Sequence, residues 1–229
     1  SVASRGLGDV YKRQFQGRAH VCWDDLEFKQ FSTPEGLPNS MVHQVYQDRD
    51  GYIWIPTFYG LFRYDGYEVR TYKSNLYTPG LLVNNNVLCV EEDYSHRLWI
   101  GTHEGLCMLD KRTGKMKKLQ LDGVSKQRLN EIHVTKENRV YLGYIRGMAY
   151  YDEMQDTLAL MTRKNCRGDV PESVNIQTLF EDVNGDLLIG TWKDGLYRYC
   201  IKENTFLHYP PLDEELSLIH ISEPTRRYA

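Results

Sequence analysis

Between Val42 and Tyr72 the chain reads "VHQVYQDRDGYIWIPTFYGLFRYDGYEVRTY". Four apolar or alternating runs stand out, Val42–Asp48, Tyr52–Thr57, Leu61–Asp65 and Glu68–Tyr72, each bounded by Asp, Gly or other polar residues. Side chains of a strand point alternately to its two faces, so this spacing predicts four short strands. Asp65-Gly66 supplies the positive-φ residue that a tight hairpin needs. No segment keeps the period of an amphipathic helix.

The pattern then recurs. "VLCVEEDYSHRLWIGTHEGLCMLDKRTGKMKKL", "IHVTKENRVYLGYIRGMAYYDEMQDTLALM" and "IQTLFEDVNGDLLIGTWKDGLYRYCIKENTFLHY" align with the first string. Trp54, Trp99, Tyr141 and Leu188 fall at one repeat position, separated by 45, 42 and 47 residues. Pro56, Gly101, Gly143 and Gly190 follow two residues later, and Gly60, Gly105, Gly147 and Gly195 share a further position. Four strands in a unit of about 40–45 residues, repeated, predict an all-β fold of β-propeller blades. A single blade leaves its faces bare, so blades stack, and rings close at four to eight. Four complete blades predict an open, partial propeller. The expected boundaries are 36–79, 80–122, 123–168 and 169–210, with one outer strand, "LEFKQF", in a lead-in over 15–35. Residues 1–14 and 211–229 match no part of the repeat. "SVASRGLGDVYKRQ" and "SLIHISEPTRRYA" resemble translated adapter sequence, so both ends are expected to be non-native tails.

Composition narrows the choice. The net charge of −3 argues against a nucleic-acid binder, which usually carries a strongly basic stripe. No apolar run approaches the ~20 residues of a membrane-spanning helix, and the start lacks a charged segment followed by an apolar one. The 17 tyrosines suit half-buried strands. The five cysteines are odd in number and contain no CxxC pair, so they read as small buried hydrophobes. No histidine pair has the spacing of metal ligands, and neither metal nor cofactor is expected.

"GLPNSMVHQVYQDRDGYIWIPT", "VNNNVLCVEEDYSHRLWIGTHEGLCMLD" and "NIQTLFEDVNGDLLIGTWKDGLYRY" resemble the two-component regulator propeller repeat. In that family an Asn-rich loop precedes a Val-led strand, Glu-Asp, a Gly turn, Leu-Trp-Ile-Gly-Thr and Gly-Leu. The chain departs from the pattern at Pro56, and in the third repeat, where "KENRVYLGYIRGM" stands. The resemblance implies the periplasmic sensor region of a hybrid two-component histidine kinase. Further blades, an immunoglobulin-like domain, a membrane span, a kinase, a receiver and a DNA-binding domain would accompany it, in a dimeric receptor. Such receptors respond to oligosaccharides.

Residues that recur in every blade serve the blade, so function is sought in those that vary. Asp48, Asp93 and Asp182, and Asp65, Asp110 and Asp152, recur at strand ends and read as turn formers. In a meander, the second-to-third turn and the blade-to-blade loop share one face of the ring. That face carries Phe58, Tyr59, His103, Glu104, Ile145, Arg146, Trp192, Lys193 and Asp194, with Asn39, Ser40, Asn84, Asn85, Asn86, Asn130 and Asn175 in the blade-to-blade loops. Variable aromatic, charged and amide groups suit a ligand or inter-domain surface, although Asn also fills turns for local reasons. Three functions stay open: a non-catalytic sensor, a propeller glycoside hydrolase or lyase, and a protein-interaction scaffold. The enzyme needs two facing carboxylates about 5–10 Å apart.

Overall fold

The computed structural model describes residues 41–74, 82–121 and 127–211. The lead-in over 15–35, both expected tails except Pro211, and Asn39 and Ser40 lie outside the described residues.

The described residues contain no helix. Their strands form four antiparallel meanders. The first blade consists of β1 (Tyr46–Gln47), β2 (Ile53–Thr57), β3 (Gly60–Tyr64) and β4 (Val69–Tyr72). The second has β5 (Val87–Glu92), β6 (Arg97–Thr102), β7 (Gly105–Asp110) and β8 (Met116–Leu119). The third has β9 (Leu129–Val134), β10 (Val140–Tyr144), β11 (Gly147–Asp152) and β12 (Thr157–Leu160). The fourth has β13 (Arg167–Gly168), β14 (Ile176–Glu181), β15 (Leu187–Thr191), β16 (Leu196–Cys200) and β17 (Thr205–Tyr209).

Two elements differ from the sequence pattern. The inner strand expected over Val42–Asp48 contracts to Tyr46–Gln47, with one isolated bridge from Val42 to Thr57. Pro56 is the reason. Its carbonyl accepts from the His43 N–H on the inner-strand side, but proline has no N–H to return. In addition, β13 runs parallel to β17 as a fifth strand of the last sheet. Gly168 there has φ +75°, and a Cβ would stand 2.1 Å from the Phe206 carbonyl oxygen, so only glycine fits. The third repeat, despite its divergent string, pairs β10 with β9 over five positions and with β11 over four.

The recurrent aspartates organise each blade. Asp48 Oδ1 accepts the N–H groups of Asp50 and Tyr52 at 3.0 and 2.9 Å, closing the β1–β2 turn. Its Oδ2 accepts the Trp54 indole N–H at 2.8 Å. Asp93 repeats the set with Ser95, Arg97 and Trp99, at 2.8, 3.0 and 2.9 Å. In the third blade both members of the pair change. The third blade has Tyr141 in place of Trp and Thr135 in place of Asp, whose Oγ1 accepts the Arg139 N–H at 3.1 Å. The fourth keeps Asp182 for its turn, but Leu188 has no N–H to give, and Arg198 reaches Asp186 and Asp182 instead.

Apolar cores fill the three seams between blades. Trp54 and Leu61 meet Val90, Leu98 and Ile100 at the first. Trp99 and Leu106 meet Ile132, Val134 and Leu142 at the second. Tyr141 and Met148 meet Ile176, Leu179 and Ile189 at the third. Close approach explains the first recurrent glycine position: a Cβ on Gly101 would lie 2.4 Å from Cys89 Sγ, and one on Gly143 would lie 2.6 Å from Ile176 Cγ2. The fourth blade presents the same positions without a cover. Leu61, Leu106 and Met148 are all 0% exposed, whereas Leu196 at the same position is 40% exposed. Among the described cysteines, Cys89 and Cys107 are buried as expected, but Cys166 and Cys200 are only half-buried.

Trp99→Ala removes a fully buried ring and its hydrogen bond to Asp93. It should cost about 3–5 kcal/mol of unfolding free energy. Denaturant titration checks this, and an unchanged midpoint would contradict the packing described.

Candidate functional site

The meander puts the β2–β3 type turns and the blade-to-blade loops at one end of the arc, as the spacing predicts. In the first, second and fourth of these turns a threonine is the local organiser, whereas the third has Tyr144 there. Thr57 Oγ1 donates to the Gly60 carbonyl at 2.9 Å and accepts the Tyr59 N–H at 3.0 Å. Thr102 and Thr191 donate in the same way to Gly105 and Gly195. The neighbouring blade-to-blade loop is tied in by a second recurrent bond. The N–H groups of Phe58, His103, Ile145 and Trp192 donate to the carbonyls of Met41, Asn86, Arg128 and Asn175.

On this frame the candidate side chains separate. Phe58, Tyr59 and Trp192 project into solvent, with Phe58 and Tyr59 edge to face at 5.6 Å. His103, Arg146, Lys193 and Asp194 are exposed, and Glu104 is half-buried. The fourth turn holds one extra residue, and Lys193 takes a left-handed φ of 79° there. Asn85 serves the loop itself: its carbonyl accepts the Ser74 N–H at 2.6 Å and its amide donates to the Ser74 carbonyl. Asn130 likewise donates to Asn175 Oδ1 and to the Ile176 carbonyl. The exposed aromatic and charged groups are therefore the ones free to meet a ligand or domain.

The inner strands carry a second polar set that the sequence reading passed over. In the second and third blades, N–H groups of the inner strand turn away from their own sheet and side chains of the preceding blade receive them. Gln44 Oε1 accepts the Val90 N–H at 2.7 Å, and Tyr46 Oη accepts the Glu92 N–H at 3.0 Å. Glu91, at the repeat position of Tyr46, accepts from the Val134 N–H. Burial pushes the Glu91 carboxyl up to about 8, and the nearby Glu131 adds to the rise. Burial raises Glu131 as well and lowers His133, which holds that imidazole neutral. The signal was present in the sequence as a polar group two places before Asp48 and Asp93, at Tyr46 and Glu91. Its role depends on the neighbouring blade.

The opposite end of the arc carries the ion pairs that clamp the seams. At the first, Lys111 Nζ lies 2.7 Å from Asp48 Oδ2, 2.6 Å from Asp50 Oδ2 and 2.9 Å from Glu92 Oε1. The Asp48 and Glu92 side chains are fully buried. Burial opposes the Lys111 charge, but the three carboxylates outweigh it and hold the ammonium above its ordinary range. At the second seam Arg97 joins Asp93 at 2.6 Å to Glu153 at 3.3 Å, and stacks on Trp99 and Tyr151. At the third lies a cavity of about 370 Å³ lined by Thr135, Glu137, Arg139, Glu181, Asn184 and Ile201, among others. No group of three or more His, Cys, Asp or Glu side chains suited to a metal occurs among the described residues.

The fold and its repeats define a β-propeller arc. Residues 36–55 and 81–104 match the family model of the two-component regulator propeller, so the chain carries repeats of that type. Among solved structures, the extracellular domain of a hybrid two-component system from B. thetaiotaomicron superposes with a TM-score of 0.68 at 21% identity. The match covers 79% of this chain and 26% of that one, so the chain spans about a quarter of its length. Virginiamycin B lyase from Staphylococcus aureus, in a catalytically inactive H270A form with quinupristin, superposes with a TM-score of 0.61 at 12% identity. There the match covers 78% of this chain and 58% of the lyase. An ancestral GH74 enzyme gives 0.58 at 14% identity, over 76% of this chain and 24% of that enzyme. No curated protein matches the chain.

Two outcomes test the seams. Lys111→Met would leave two buried carboxylates without a counter-charge and should cost about 3–5 kcal/mol. The pH response turns on Glu91. Its folded pKa lies above the unfolded value, so its contribution is fully present below the unfolded pKa of 4.5 and is lost as pH rises through about 8. Glu91→Gln should therefore be more stable than the parent at pH 8, by at most about 5 kcal/mol, and similar to it at pH 4. Denaturant midpoints across that range check the sign.

Proposed function

We propose that this chain is a non-catalytic sensor segment of a two-component signalling receptor, placed outside the cytoplasm. The observation that supports it is the regulator-propeller repeat at 36–55 and 81–104, set in four blades with variable, exposed side chains gathered at one end. Phe58, Tyr59, His103, Glu104, Arg146, Trp192, Lys193 and Asp194 form that surface. Aromatic rings stack on the C–H faces of sugars, and charged groups pair with hydroxyls, so an oligosaccharide in the periplasm is the ligand class proposed. Binding would bias the packing of this arc on the remaining blades and downstream domains, and so bias a kinase across the membrane. The fourth blade's open apolar face is where further blades would seat.

A site assembled around a whole ring is only part-built on four blades, and association costs several kcal/mol before contacts count. The chain alone should therefore bind oligosaccharides more weakly than micromolar and release no product. Calorimetric titration with a panel of polysaccharide-derived oligosaccharides, with a reducing-sugar assay beside it, tests both. Product release abolished by replacing a single carboxylate would establish the enzyme instead.

A further inference from the structure

We propose that the cavity between the third and fourth blades is a binding site for a small ligand carrying a primary ammonium group. It lies on the turn side of the arc, opposite the exposed aromatic face, and is independent of the sensor reading above.

The repeat itself supplies the template. At the first seam the Lys111 ammonium is held by Asp48 and Asp50 from one blade and Glu92 from the next. Counting from the aligned residues Trp54, Trp99, Tyr141 and Leu188, the same positions at the third seam are Thr135, Glu137 and Glu181. Lys111 stands six residues after Gly105, and Ile201 stands six after Gly195. All four of these counterparts line the cavity. The oxygen acceptors are thus retained in part, while the amine that they face at the first seam is replaced by an aliphatic side chain. At the second seam Arg97 and Glu153 pair across the blades. Its counterpart Arg139 turns instead to Glu137, 3.5 Å away within its own blade.

Glu181 is the anchor. Its side chain is nine-tenths buried, and Oε2 accepts the Lys136 N–H at 2.9 Å. The closest cation to Oε1 is Lys136 Nζ, at 3.9 Å. His133 Nε2, also 3.9 Å from Glu181, is buried without a hydrogen-bond partner. A primary ammonium has three N–H donors for Glu181, Glu137 and the Thr135 hydroxyl, and its alkyl stem would lie along Ile201. Arg139 and Lys202 in the lining oppose a doubly charged cation more strongly than a single ammonium.

The test uses n-butylammonium as probe and tetramethylammonium as the control with charge but no N–H. On the ¹⁵N-labelled chain, n-butylammonium should give saturable amide shifts at Lys136, Arg139 and Gly185, and tetramethylammonium should not. Glu181→Gln should weaken the response about tenfold. Ile201→Lys should insert the missing ammonium, raise the thermal midpoint and abolish the shifts, and it keeps the test decisive if Glu181→Gln does not fold. Equal responses to both cations, an undiminished response in Ile201→Lys, or no saturable response in the parent chain would overturn the proposal.

Discussion

A carboxylate buried at the end of an inner strand holds the first two blades together. Asp48 and Asp93 each accept two backbone N–H groups of the following turn and the indole N–H of the next strand. Desolvating a carboxylate is costly unless its lone pairs are filled. Here three donors within six residues fill them, and a cation completes each set, Lys111 at Asp48 and the Arg97 guanidinium at Asp93. The hydrogen bonds fix the turn, the turn sets the register of the second strand, and the register delivers the tryptophan to the seam. Without the indole N–H the carboxylate loses its reason to be buried. The joint change of both positions to Tyr141 and Thr135 in the third blade follows from that.

The seams extend the same economy of donors across blades. Backbone N–H groups of Arg49, Tyr94 and Lys136, one place after the organising residue, donate to Glu92, Asn138 and Glu181 of the following blade. Where the third blade has Val134 at the acceptor position, Asn138 from the adjoining turn takes over. Val183, the fourth member of the series, is exposed. Backbone polar groups inside a seam need partners, so each blade is built to receive the next. The arc is a stack of nearest-neighbour contacts rather than one shared core.

This division of labour separates the two ends of the arc. The turn end is occupied by charge clamps, Lys111 at one seam and Arg97 at the next, and its geometry is tied to stability. The loop end is held by backbone bonds and by threonine hydroxyls, which leaves the rings of Phe58, Tyr59 and Trp192 turned to solvent. Phe58, Tyr59 and Trp192 can vary there without disturbing a turn. A recognition surface can therefore change while the blade beneath it is preserved.

The blade pattern was legible in the sequence because its determinants are local. Alternation gives strands, Asp-Gly gives turns, and a repeat of about 40–45 residues gives the stack. The burial of Trp54 and Trp99 followed from their recurrence. The short β1 was less legible, since the missing donor of Pro56 matters only once the inner strand is known to lie on that side. The candidate face was legible as a set of turn tips, but not the engagement of Asn85 with Ser74 or of Asn130 with Asn175 and Ile176 of the next blade. Least legible were the contacts between blades: Lys111 with Asp48, Gln44 with Val90, and the cavity beside Ile201. These depend on which side chains face each other across a seam. Strand periodicity says which face a residue takes, whereas only the packed blades decide what stands opposite.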